Sequence, residues 1–118
     1  EPIPGPTFRF GPKIQLASSQ LFYASALCVA SVNLKPLCPG HVLVIPKRCV
    51  QHLSELTDAE RSDLWRTVRI VQECICRLHG AVGCKLGVQD GKESGQSVPH
   101  VHVHLLPQKD QRPPESAP

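Results

Sequence analysis

The 118-residue chain predicts an α+β fold with mainly antiparallel pairing. Three observations carry that reading. The stretch 57–80 has the apolar period and the punctuation of one long helix. Several shorter apolar runs, bounded by Gly and Pro, have the spacing of strands. No internal repeat divides the chain, so it reads as one domain over 1–118 with an ordered core of roughly 7–108.

The elements follow in order. "EPIPGP" is irregular by its Pro and Gly content, which makes 1–6 a lead. Phe8–Phe10 is a short strand, and Leu21–Val32 holds two strands around a turn. Pro39 and Gly40 introduce a strand over His41–Pro46. Thr57 and Glu60 form a capping box, with Asp58 also favouring the helix N-terminus. Leu64, Val68, Val71, Ile75 and Leu78 make one apolar face, while Arg61, Arg66, Arg69, Glu73 and Arg77 fall largely elsewhere as a solvated face. Gly80 stops the helix. "CKLGVQDG" runs as a strand into a turn, "KESGQS" is a polar loop, and the segment Ser97–Pro107 is a further strand. The tail 109–118 has the composition of a disordered end.

Composition narrows the function. A hydrophobic content of 41% and a charged content of 19% are those of an ordinary globular protein. A net charge of +3 without a basic run argues against nucleic acid as a partner and suits anionic small molecules. No apolar stretch is long enough to span a bilayer, and no secretory apolar region opens the chain. Cys28, Cys38, Cys49, Cys74, Cys76 and Cys84 include no C-x-x-C, and Cys74 and Cys76 point apart on the helix. They are expected to be reduced thiols of a cytoplasmic protein, with nuclear or organellar placement left open. The first residue is Glu rather than Met, so a trimmed leader also stays open.

The chemistry concentrates in "SVPHVHVHLLP", where His100, His102 and His104 alternate with Val101 and Val103. Strand geometry places the three imidazoles on one face and the valines on the other. Three readings stand beside one another. A purely structural row is disfavoured because clustered imidazoles desolvate one another and repel when protonated. A zinc site would take alternate histidines plus one of His41, His52 or His79, with Asp90 the nearest plausible acid. In the third reading one neutral imidazole attacks phosphorus and its neighbours support it. Gln89, Gln96 and Ser97 in the preceding loop would then be uncharged donors to a phosphate.

The segment "HVHVHLL" also matches every position of the histidine triad signature, His-φ-His-φ-His-φ-φ. With "VNLKP" (32–36), "PGHVLVIPKR" (39–48) and "QDGKESGQSVPHVHVHLLPQK" (89–109), the chain resembles the histidine triad family over nearly its whole length. The "QDG…GQ" loop and the "LLPQK" exit are most similar to the Fhit branch of diadenosine triphosphate hydrolases. The resemblance implies a homodimer, each subunit an antiparallel sheet of about five strands with a packed helix. It implies that His102 attacks the α-phosphorus of a dinucleoside polyphosphate, so that Ap3A yields ADP and then AMP through a nucleotidyl-histidine. His100 and His104 would bind phosphoryl oxygens, and His41 would complete the polar cluster. Gln89 would contact the scissile phosphate with Gln96 and Ser97 helping, Asn33 would meet the ribose, and Phe10 and Leu43 would flank the adenine.

No metal is implied for the covalent step, although Mg or Mn can accompany the polyphosphate. Bland alternatives are a turn role for Asn33 and plain core roles for Phe10 and Leu43. Related activities on AMP-amines, Ap4A or adenylylsulfate, and a signalling protein whose ligand-bound dimer is the output, are the alternative functions. Two features depart from the family pattern. Pro99 removes a backbone donor just before the triad, and the sequence ends soon after Lys109 without the tyrosine-bearing segment of Fhit-type proteins.

Overall fold

A computed structural model of the chain describes residues 7–109. The expected lead, 1–6, and all of the expected tail except Lys109 lie outside the described residues. Strands β1 (Thr7–Phe10) and β2 (Ile14–Ala17) form a separate antiparallel hairpin. Then come β3 (Leu21–Ala24), β4 (Cys28–Val32), β5 (Val42–Pro46), α1 (Asp58–His79), β6 (Gly83–Val88) and β7 (Val103–Gln108). The last five strands make one antiparallel sheet in the order β3-β4-β5-β7-β6. The α+β expectation holds, with five strands in the main sheet and one long helix.

Alternation divides the side chains between two apolar layers. Val42, Val44, Val101, Val103 and Leu105 pack with Leu64, Val68, Val71 and Ile75 of α1 on one face. On the other face Leu43, Ile45 and Val29 meet Phe8, Phe10 and Leu16 of the hairpin. The molecule is therefore helix, sheet and hairpin in three layers. The sequence reading missed β2, whose Leu16 supplies the apolar position facing Phe8 in the hairpin register. Leu78, expected on the buried face of α1, is 76% exposed because it borders an open groove with Phe22, Val32 and Ile75 and nothing closes over it among the described residues.

The capping box forms as expected. Thr57 Oγ1 accepts from the Glu60 N–H and Glu60 Oε1 accepts from the Thr57 N–H. Arg48 also binds both carboxylate oxygens of Glu60, which holds that carboxyl down at about 2. Farther along the helix, buried Asp63 accepts from the Ser25 hydroxyl and from the Leu27 N–H at 3.2 Å. This carboxylate fastens α1 to the β3–β4 turn, and with burial it pushes the Cys28 thiol up to about 12. At the other end Gly80 takes a left-handed conformation, φ 62°, and closes α1.

Gly40 is needed for the turn that sets His41 just before β5. Its φ is +85°, and a Cβ there would lie 2.7 Å from Cδ2 of His79. Among the described residues, no helix is long and apolar enough to cross a membrane.

Removing the Asp63 carboxylate should be costly because it strands two donors in a half-buried turn. Asp63→Ala is expected to destabilise the fold by ~3 kcal/mol, read as a lower urea midpoint with an unchanged slope. A loss below about 0.5 kcal/mol would show that this contact does not tie the helix down.

Candidate active site

The site is built where the hairpin lies over the sheet. The sequence reading predicts a strand over 97–107, but the ladder begins at Val103, and only His104 of the three histidines is inside it. The reason lies in β5, whose last residue Pro46 has no N–H to continue the pairing. Val101 instead donates its N–H to the Val50 carbonyl. The facial alternation survives, with Val101 and Val103 in the helix-side core and the histidines toward the hairpin.

His100 is fully buried, and both of its nitrogens are taken by backbone. Nδ1 accepts from the Gly11 N–H at 2.9 Å, so Nε2 carries the proton and donates to the Pro46 carbonyl at 2.7 Å. The expectation that His100 binds a phosphoryl oxygen does not fit these surroundings, since no ring nitrogen is free. It is a positioning residue. Its own carbonyl accepts from Nδ1–H of His102 at 2.7 Å. That bond leaves the lone pair of His102 on Nε2.

A second chain of bonds sets the tautomers of His41 and His104. The Leu37 N–H donates to His41 Nδ1 at 3.0 Å, so the His41 proton sits on Nε2 and points at His104 Nδ1, 3.0 Å away. His104 Nδ1 is therefore the acceptor, and its proton is on Nε2. That Nε2 is buried without a partner among the described residues. An unmet buried donor beside the His102 ring (centroids 5.0 Å apart) is a place for an acceptor such as a phosphoryl oxygen.

All four imidazoles are shifted toward neutrality. Burial lowers His41, His100 and His102, and burial together with the neighbouring His102 and His41 takes His104 down to about 4. A cluster of neutral rings keeps the His102 lone pair available at neutral pH.

The remaining expected residues divide between the cleft and its frame. A cleft of about 340 Å³ brings Phe10, Asn33, Leu43 and Ser97 together with His102 and His104. Phe10 meets the His102 ring edge-on at 5.0 Å. Phe10 and Leu43 are at once core and cleft wall. Asn33 does take the turn role, its Oδ1 accepting from the Lys35 N–H at 3.0 Å, while its Nδ2 lies 3.2 Å from His41 Nε2. Gln96 is 8% exposed; its Oε1 accepts from the Gly91 N–H and its amide donates to the Gln51 carbonyl. With both ends of its amide engaged it is a strut of the loop, a correction to its expected part as a phosphate donor.

Gln89 is exposed just past β6, and its Nε2 would lie 2.7 Å from a Cβ at Gly95. The fold brings it beside a position only glycine can fill, Gly95 having φ +88°. His52 binds Asp90 Oδ1 at 3.2 Å and pins the same loop to the segment before α1. Among the described residues, no three His, Cys, Asp or Glu side chains are arranged to hold a metal ion. Ile14 and Leu16 of β2 and Val98 also line the cleft. The alternation Phe8, Phe10, then Leu16 across "GPK" was the signal for that hairpin.

The chain is similar to known proteins in both sequence and fold. A family model described as the HIT domain matches residues 15–111. The bis(5'-nucleosyl)-tetraphosphatase (asymmetrical) of Schizosaccharomyces pombe is 53% identical over 91 residues, which cover 77% of this chain and 50% of that protein. The bifunctional bis(5'-adenosyl)-triphosphatase/adenylylsulfatase FHIT of Arabidopsis thaliana is 46% identical over 103 residues, 87% of this chain and 57% of that one. The chain thus spans little more than half the length of these relatives. The crystal structure of the Caenorhabditis elegans NitFhit protein superposes with a TM-score of 0.86 at 39% identity, over 95% of this chain and 28% of that chain.

Buried neutral imidazoles make stability depend on pH with a definite sign. Below the ordinary value of about 6.5 the unfolded chain takes up protons that the folded chain refuses, so stability falls as pH drops. The urea midpoint should therefore decline from pH ~6.5 toward the His104 value of about 4. His104→Asn should flatten part of that slope. A midpoint constant from pH ~7 to ~4.5 would mean that these rings are not held neutral by the fold.

Proposed function

The chain belongs to the HIT domain family, and from that membership we propose that it hydrolyses dinucleoside polyphosphates through a nucleotidyl-histidine intermediate. The observation that carries the reading is the bond from His102 Nδ1–H to the His100 carbonyl, which leaves the nucleophilic lone pair on Nε2 of a cleft-lining ring.

The nucleoside enters the cleft between Phe10 and Leu43, with Asn33 and Ser97 at its polar rim. His102 Nε2 attacks the α-phosphorus. The bond to the bridging oxygen breaks, and its electron pair leaves with the nucleoside diphosphate or triphosphate. His104 donates its unmet Nε2–H to the phosphoryl group as charge shifts onto oxygen. His41 keeps that proton on the correct nitrogen by occupying Nδ1 of His104. Gln89 supplies an uncharged donor at the loop, as the resemblance implies. Water then attacks phosphorus and gives a proton to solvent, the P–N bond breaks with its electrons returning to Nε2, and the nucleoside monophosphate is released.

The covalent step draws on imidazole lone pairs alone, so Mg or Mn enters with the polyphosphate and neutralises its charge. A cytoplasmic setting is supported by six free thiols and no disulfide among the described residues. A homodimer is supported by β6, an edge strand whose Leu86 is 47% exposed and whose backbone has an unpaired side.

His102→Ala should abolish AMP release from Ap3A while nucleotide affinity stays within about tenfold, or ~1.4 kcal/mol. His104→Asn should slow turnover on the order of a hundredfold and keep the covalent route. Label from an α-phosphate should be trapped on His102 in acid-quenched wild type. Near-normal hydrolysis by His102→Ala would refute the nucleophile.

Turnover should also fall on the acid side as the free enzyme's attacking imidazole protonates. Because burial lowers His102, the midpoint of kcat/KM should lie below the ordinary value of ~6.5. A midpoint above it would show that protonation of this ring is not limiting.

A further inference from the structure

Beyond His104 the sheet face continues along β6 and β7. The register sets Gly87 opposite His104, Lys85 opposite Leu106 and Gly83 opposite Gln108. Lys85 is therefore on the same face as His104, one two-residue step of ~7 Å along the strands. Gly87, beside His104 and next to Lys85 on this face, leaves the sheet bare there, and a Cβ built on it meets nothing within 4 Å.

This bare lane leads to a second cleft, of about 500 Å³, with Leu37, His79, Lys85, Leu106, Gln108 and Lys109 in its walls. Both lysines are exposed, and neither makes an ion pair with the described residues. Among the described residues, none lining the cleft is acidic. Leu37 ties this cleft to the histidine cluster, since its N–H donates to Nδ1 of His41, which in turn bonds His104. The nucleoside cleft lies on the opposite side of His104, toward β4 and the hairpin.

We propose that this second cleft takes the departing polyphosphate, with Lys85 and Lys109 binding its anionic oxygens and Gly87 keeping the way to them open. The inference rests on the hydrolase reading above and names the ligand class of its leaving-group side. A leaving group carrying further phosphates reaches the lysines. An amine does not. The subsite therefore favours dinucleoside tri- and tetraphosphates over AMP-amines by binding charge, in the way that exposed cations add modest, salt-sensitive affinity.

Kinetics on Ap3A, Ap4A and an AMP-amine test the idea with the full chain. Lys85→Ala should lower kcat/KM for both polyphosphates about tenfold, mostly through KM, and leave the AMP-amine within about twofold. Gly87→Leu, which fills the lane but keeps both lysines, should give the same split. Equal losses on all three substrates, or no loss on any, would overturn the proposal. Inorganic tripolyphosphate, followed by calorimetry, separates this failure from failure of the hydrolase reading. Binding by wild type that is lost in Lys85→Ala/Lys109→Ala supports the subsite even where no substrate is turned over. Binding that is unchanged in the double variant, or missing in wild type, overturns it.

Discussion

The imidazole of His100 is the constraint on which the rest of the site depends. Buried completely, it takes one hydrogen bond from the β1–β2 turn at Gly11 and gives one to the end of β5 at Pro46. A single side chain thus joins the hairpin to the sheet. Both contacts use backbone groups that have no ladder partner there, and leaving either unmet in the interior would cost about 1–3 kcal/mol. Its carbonyl then orients His102, whose edge meets Phe10 of the same hairpin. Phe10, the His102 ring and the end of β5 are consequently fixed relative to one another by one buried ring.

Burial of this kind also sets the electrostatics. No carboxylate bonds to any of the four clustered imidazoles among the described residues; their partners are backbone groups and one another. An aspartate on Nδ1 of His102 would favour imidazolium and withdraw the lone pair at neutral pH. A carbonyl on the same nitrogen fixes the tautomer without adding charge. The fold therefore orients the nucleophile by hydrogen bonding and keeps it neutral by desolvation. The same burial leaves His104 Nε2 unpartnered, a destabilising feature of the free protein that a phosphoryl oxygen would relieve.

Most of the fold was legible because its signals are local. Thr57, Glu60 and Gly80 mark both ends of α1, and short apolar runs mark six of the seven strands, all but β2. What was not legible depends on distant partners. Nothing local to His100 says that Gly11, 89 residues away, occupies its Nδ1. Gln96 reads as a free donor until Gln51 and Gly91 are brought to its two ends. The start of β7 was misplaced for the same reason, since the ladder is limited by Pro46 on another strand and not by the histidine segment itself.

The alternating segment serves two layers at once, and this binds stability to chemistry. Val101, Val103 and Leu105 complete the core against α1, while His100, His102 and His104 build the site beneath the hairpin. With a strand period of two, a one-residue slip would exchange the sets, burying imidazoles against leucines and valines and turning the valines toward the cleft under the hairpin. The exchanged state would lose apolar packing on one face and every histidine hydrogen bond on the other. The apolar positions of the motif therefore hold the register that gives each imidazole its partner. In this fold the valines are as much a condition of the site as the histidines.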